Sequence, residues 1–392
     1  MKRQICFVLA LSGMSFLTVG PVAAQDQSAV VSGNMKGYYS RIPWTDGTAD
    51  EALARSAAGT TIPMFTYTMA ATKDGGSYKL SMAGTSPFAA TLGASNIGVD
   101  IVMLQFTIAG QVFDPYLPNA CLNLNQPYAR FANSPLFSKT AWTFNGVNVG
   151  TTQYVDAFRR GEFWSTIVHK NAAAYTNTLG PKVYLPEIAV NPGSAGIVYG
   201  TGCTKVGIVS QSWLENYLRG TLIPSLTASG AINPTRLTIF LTWNVVSSST
   251  NPPTVSACCA LGYHTATGTA PQTYTVIDFD TTKQFASTSD ISIGSHELAE
   301  WMDDPLANNY VPYWGSVGQV SGCPNPALLE VGDPLTGTLL PALTGNYHVQ
   351  ELAYFSWFFN AKGYASMGTG GKFSNNGKFT GPSQPCPPGG TY

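Results

Sequence analysis

The chain has 392 residues, of which only 10% are charged, and its 20 basic and 21 acidic side chains leave a net charge of −1. No basic block stands out, which argues against nucleic acid as a partner. With 40 glycines, 26 prolines and abundant serine and threonine, the composition suits a strand-rich and loop-rich protein, not a helical bundle.

Lys2 and Arg3 precede a mostly apolar stretch from Ile5 to Val19, and Val22-Ala23-Ala24 offers a small-residue cleavage site. This is the pattern of a secretory signal peptide over residues 1–24, with Gln25 opening the mature chain. The apolar run is shorter than the ~20 residues of a spanning helix, and no later stretch is long enough to span a bilayer. The expected location is therefore secreted or periplasmic, with no transmembrane segment after cleavage. Six cysteines then remain: Cys121, Cys203, Cys258, Cys259, Cys323 and Cys386. An even number in an exported chain predicts disulfides. Cys258 and Cys259 are expected to serve different partners, since a bond between neighbours strains the peptide.

Residues 25–60 read as polar and irregular. Ile62–Ala70 and Ser77–Met82 flank Lys73-Asp74-Gly75-Gly76, the signature of a β-hairpin. Val99–Ile108 is a further strand, and residues 110–150 read as loops with short strands. Thr152 to about His169 is an expected helix, capped by Thr152 and weakened by Gly161. Val206–Val209 reads as a strand, Ser212–Leu222 as an amphipathic helix and Leu237–Val246 as a buried strand, an order that predicts an α/β layer. Strands follow around Leu261–His264 and Tyr274–Phe279. Val349–Phe359 is apolar enough for either strand or helix. The fold class is mixed α+β, with a β-rich region over 25–200, an α/β region over 201–365, and a tail over 366–392. That tail, rich in Gly, Asn, Ser and Pro, is expected to bury little. Whether 25–200 is a separate domain or half of one fold is open at this level.

The densest chemical signal is Ser295-His296-Glu297-Leu298-Ala299-Glu300-Trp301-Met302-Asp303-Asp304-Pro305, in a chain with only 8 Glu and 4 His. It has the layout of a zinc-peptidase helix of the H-E-x-x-H kind, with Glu in place of the second His. On a helix from Asp290, as cap, to Asp303, His296 and Glu300 stand at i and i+4 and can hold one cation. Glu297 is placed as general base for a water beside that cation. The third ligand is expected from Leu329-Glu330-Val331-Gly332-Asp333-Pro334, with Asp333 first and Glu330 second. Asp303 is a weaker choice, because three ligands on one helix surround an ion poorly. Zinc is the expected metal; a carboxylate-rich set also admits calcium or another divalent ion. The competing reading is a solvated acidic helix end with a surface histidine. Tyr310, Tyr313 and Trp314, in the loop Leu306–Leu328, are candidates for a cleft wall.

SHELAE followed by an acid-Pro step, an aromatic loop and Glu330-Val331-Gly332-Asp333 resembles the C-terminal part of the plant phosphate-induced (Exordium-like) proteins. It is also similar to secreted bacterial proteins with a zincin-like helix. The resemblance covers about residues 258–360, including Gly262-Tyr263-His264 and Tyr347-His348-Val349-Gln350; Thr152–Phe158 matches the bacterial group. It implies a zincin-like α/β region with metal ligands at His296 and Glu300 and an acid at Glu330 or Asp333. Pro334 stands where the plant pattern tends toward cysteine.

His264 is expected near the cleft, polarising a substrate carbonyl or serving as a ligand. His348 is a weaker candidate of the same kind, and His169 needs no function. The expected activity is metal-dependent hydrolysis of a peptide or protein. The alternative is a non-catalytic extracellular protein with a structural metal, binding cell-wall glycan or a partner through its aromatic surface.

Overall fold

A computed structural model describes residues 35, 37–118, 126–285, 288, 290–314, 327–341, 347–360 and 369–383. The fold is mixed α+β, as expected. The signal segment 1–24 and Cys121, Cys323 and Cys386 lie outside the described residues.

Within the stretch read as irregular, α1 (Ala49–Ala57) starts on a capping box in which Thr48 and Glu51 satisfy each other's backbone N–H. The hairpin of β1 (Met64–Ala70) and β2 (Ser77–Ala83) follows in the expected register, with Gly75 supplying the positive φ of its turn. β3 (Ala94–Ile108) is the longest strand and β4 (Gln111–Phe113) folds back on it. α2 (Pro127–Ala132), β5 (Thr140–Phe144) and β6 (Val147–Thr152) fill the next loops. The expected helix to His169 is shorter and broken. α3 (Tyr154–Glu162) ends at Phe163, and α4 (Trp164–Ile167) is a separate turn. Thr152 is the last residue of β6 and bonds Asp156 through its side chain; Gln153 holds the cap position.

β7 (Thr176–Tyr184) and β8 (Ile188–Val190) lie parallel to β3, whereas β9 (Gly196–Tyr199) pairs with β10 (Val206–Ser210). Ser210 caps α5 (Gln211–Tyr217), which runs on through a wider turn into α6 (Ile223–Ala228). The run Leu237–Val246 is not one strand. β11 (Leu237–Trp243) joins the central sheet, and β12 (Val245–Ser248) pairs with β10 in another. Asn244 turns the chain between them at φ +55°, and its side-chain oxygen accepts from Thr281 N at 2.7 Å. β13 (Cys258–Ala260) pairs with β12; β14 (Gly262–Thr267) and β15 (Gln272–Phe279) form the two strands expected there.

The central sheet runs β14-β15-β11-β3, with β4, β7 and β8 also on β3. It takes strands from both sides of residue 200, so the β-rich region and the α/β region share one sheet. β3, β11 and β15 are parallel and covered on both faces, which explains their nearly continuous apolar sequences. Ile239 and Leu241 face one core with Leu298, while Phe240 faces the other with Leu214 and Leu218. Each such side chain contributes roughly 1.5–3 kcal/mol on burial. β14 is the antiparallel edge strand of this sheet.

The motif helix, α7 (Ser292–Asp303), packs on β14, β15, β2 and α3, and on a later hairpin of β16 (Leu339–Pro341) and β17 (His348–Gln350) through its β17 strand. It is buried on every side, which removes the solvated-face reading. Asp290 does not cap it. Its carboxylate instead accepts from Ile291 N and His348 N. Asp304, before Pro305, leaves the helical region at φ −144° as expected. The segment Val349–Phe359 is both strand and helix, ending in α8 (Phe355–Phe359). The tail also departs from expectation. Phe373, Ser374 and Asn375 are buried, Ser374 bridges Ala353, and Asn375 Nδ2 donates to Tyr154 Oη at 2.9 Å.

Cys258 and Cys259 are bonded to each other, against the expectation of separate partners, and Cys203 is also disulfide-bonded. Among the described residues no helix is long and apolar enough to cross a membrane.

Candidate metal centre

Three elements deliver the candidate residues. α7 carries His296, Glu297 and Glu300 on adjacent turns. β14 alternates, so that Tyr263 enters the far core and His264 faces α7. The loop before β16 brings Asp333, the first residue of a short 3₁₀ turn. His296 Nε2 lies 3.0 Å from Glu300 Oε2 and 3.7 Å from Asp333 Oδ1. His264 Nδ1 lies 3.4 Å from Glu297 Oε2 and 3.7 Å from Glu300 Oε2. Two groups could therefore hold a cation, His296–Glu300–Asp333 and His264–Glu297–Glu300, and Glu300 belongs to both.

Close approaches hold this geometry. Glu300 Oε1 accepts from the backbone N–H groups of Gly332 and Asp333 at 3.0 and 3.3 Å, which fixes the loop and leaves Oε2 for the histidines. Gly332 is needed for space: a Cβ there would stand 2.4 Å from His296 Nδ1. Gly262 plays the same part beneath Glu297, where a Cβ would meet Oε1 at 2.7 Å. Gln350 Nε2 donates to Gly332 O at 2.7 Å and lies 3.0 Å from His296 Nδ1. Arg41 donates from Nη2 to Asp333 Oδ2 at 2.8 Å, and its Nε is 3.9 Å from Glu330. The Tyr39 ring stacks on His296 with centroids 3.4 Å apart.

The donor set fits a metal ion on two counts. Ligand atoms bound at zinc distances in a tetrahedron stand about 3.3–3.6 Å apart. The separations of 3.0 and 3.7 Å around His296 Nε2 bracket that range. His296 Nε2 and Glu297 Oε1 are also buried without a hydrogen-bond partner. Although Nε2 of His296 is close to Glu300, it is off the line an N–H bond would need. Such orphaned polar atoms are costly unless something pairs with them.

Electrostatics agree. Burial holds His264 down to about 3 and His296 to about 4, so both imidazoles are neutral and able to ligate. Burial, then the neighbouring carboxylates, raises Glu297, Glu300 and Glu330 well above the usual range. Burial opposes the Arg41 charge, yet Asp333 and Glu330 beside it raise its pKa overall. Without a cation these acids hold protons, which a metal would release.

Other candidates fall elsewhere. Glu330 sits next to Arg41 and in neither group. Asp303 turns to Arg159 Nη1 at 2.5 Å, and His348 pairs with Asp290 at 2.9 Å. His169 is exposed. Trp314 is buried, while Tyr310 and Tyr313 are exposed; most of the loop behind them lies outside the described residues. Sequence reasoning missed Tyr39, Arg41 and the role of Gln350. No local pattern marks the first two, which lie in a polar stretch far from the motif.

No known protein family, curated protein or solved structure matches this chain.

Proposed function

We propose that this is an exported metal-dependent hydrolase acting on peptide bonds, with zinc held by His296, Glu300 and Asp333. The observation that carries the reading is the unpartnered His296 Nε2, set among carboxylate oxygens at ligand spacing. A neutral imidazole in the ligand set favours zinc over calcium. The resemblance of the motif segment to zincin-like and Exordium-like proteins supports the same reading.

A bound divalent ion supplies Lewis acidity to a substrate carbonyl and acidifies water beside it. Glu297 is the residue that would take a proton from the attacking water and hand it to the leaving amine. His264 Nδ1 lies 3.4 Å from the Glu297 carboxylate, a position that suits it to orient that base. To ligate through Nε2, His296 must carry its proton on Nδ1, and Gln350, whose Nε2 lies 3.0 Å from Nδ1 while donating to Gly332 O at 2.7 Å, must then move aside.

A structural metal is the second reading, favoured by the burial of His264, His296, Glu297, Glu300 and Asp333. Elemental analysis of the purified chain decides first: about one zinc per chain, lost in His296→Ala, supports the site. Glu297→Gln then separates the two readings. Retained zinc with hydrolysis of a peptide library reduced about 10²–10⁴-fold supports catalysis. A wild-type protein that holds zinc and cleaves nothing makes the site structural.

A further inference from the structure

His264, His296, Glu297, Glu300 and Asp333 are each at most 2% exposed, so a substrate meets a closed site. One described segment lies directly on the candidate ligands. Residues 37–42 run as an extended chain along β13 and the start of β14, in parallel register. Tyr38 N donates to Cys259 O at 2.8 Å, Leu261 N to Tyr38 O at 2.8 Å, and Ser40 N to Gly262 O at 3.1 Å. Its side chains alternate as a strand's do. Tyr39 turns inward onto His296, and Arg41 reaches Asp333 and Glu330. Trp44 then leaves the groove and is buried with Leu306 and Ala266.

This is how an extended peptide adds to an exposed sheet edge: main-chain bonds hold it, and alternate side chains enter pockets. We propose that residues 37–42 are an internal occupant of the substrate groove. The groove takes an extended polypeptide along the β13–β14 edge, with an aromatic side chain over His296 and a basic one, two residues later, against Glu330 and Asp333. The inference rests on the metal-hydrolase reading, names its substrate class, and accounts for the burial. Substrate enters only after the segment lifts, and the metal exchanges by the same opening.

The test is zinc exchange in the full chain. Ser40→Pro removes the N–H that bonds Gly262 O and the hydroxyl that donates to Gln211 Oε1 at 3.0 Å, and touches no candidate ligand. Zinc uptake and zinc capture by a chelator should both accelerate about tenfold or more, leaving Kd unchanged, since two hydrogen bonds are lost and each is worth roughly 0.5–1.5 kcal/mol net. An excess of a peptide copying residues 37–44 should slow both rates again. Bound zinc with unaltered rates would overturn the proposal and leave the metal reading standing. If wild type binds no zinc, the metal reading falls, and the covering segment is then judged by diethylpyrocarbonate reaction at His296. Faster reaction in Ser40→Pro supports the cover; equal reaction rejects it. Should Ser40→Pro fail to fold, hydrogen exchange of the unaltered chain serves. The Ser40 amide should exchange well before those of Ile239 and Val276, and equal protection rejects the proposal.

Discussion

Asp333 is shared between two partners on opposite sides. Its Oδ2 accepts from Arg41 Nη2 at 2.8 Å, and its Oδ1 faces His296 Nε2 at 3.7 Å. The guanidinium therefore sets which carboxylate oxygen is offered to the candidate metal. Arg41→Ala should weaken zinc about 10–100-fold, the usual cost of losing such an orienting partner. A competition titration against a chelator of known affinity measures it; an unchanged Kd would show that Asp333 needs no orientation or is no ligand.

Gly332→Ala tests the packing beside His296. The backbone there has φ −89°, open to any residue, so the effect is steric alone. The new methyl would press on the imidazole from 2.4 Å. The expected cost is about 1–3 kcal/mol in urea unfolding, together with weaker zinc binding. Wild-type stability and zinc affinity in this variant would mean that the ring moves freely and is not held for a ligand.

Arg159 and Asp303 are both fully buried, and Arg159 Nη1 also donates to Met302 O at 2.8 Å, which ties α3 to the end of α7. Arg159→Ala should cost about 3–5 kcal/mol because it strands the Asp303 carboxylate. Replacing both residues by apolar ones of similar size should cost far less. Equal losses in the single and double variants would argue that the guanidinium matters for its packing and not for its charge.

The buried acids give the metal-free protein a distinctive pH dependence. Glu297, Glu300 and Glu330 are pushed up by burial first and by their neighbours second, whereas unfolded carboxyls ionise near pH ~4. Above that pH the folded state holds more protons than the unfolded state, so stability falls as pH rises. His264 and His296, held down to about 3 and about 4, act oppositely, but only below about pH 6.5, where the unfolded histidines take up protons. Between about pH 7 and 8.5 the histidines no longer contribute, and the raised carboxyls are opposed by Lys73, which burial lowers to about 8. The Tm of the metal-free chain should drop across that window, and the increment from added zinc should grow. A Tm that climbs with pH in the absence of metal would contradict the raised carboxyls.

The helix and its ligand spacing could be read from the sequence because His296, Glu300 and Asp333 act through short-range order: one helical turn, then an acid at a glycine turn. The strands Val99–Ile108 and Leu237–Trp243 were visible for a similar reason, as apolar runs of the right length. Sequence reading failed where distant residues decide. The break at Asn244 depends on Thr281 and on Asp278, whose carboxylate accepts from Val245 N at 3.1 Å. Thr48 and Glu51 carry the helical signal of α1 as a capping box within an otherwise polar stretch. Tyr39 and Arg41 gain their meaning only once the edge of β14 places them over α7. Burial of α7 on all sides follows from β2, β14, β15, β17 and α3 packing around it, with Tyr39 on His296, which helical periodicity cannot show.

Tyr154 Oη donates to Gln350 O and accepts from Asn375 Nδ2, so the residue that braces His296 is itself braced from the tail. A nascent chain emerges from the ribosome over many seconds, with its N-terminal part available to fold first. Here that part has nothing to close upon, because Gln350 and Asn375 are among the later residues to be made. The candidate centre is thus a late product of synthesis, and a ribosome-stalled chain halted before Asn375 should capture zinc poorly beside one released after it.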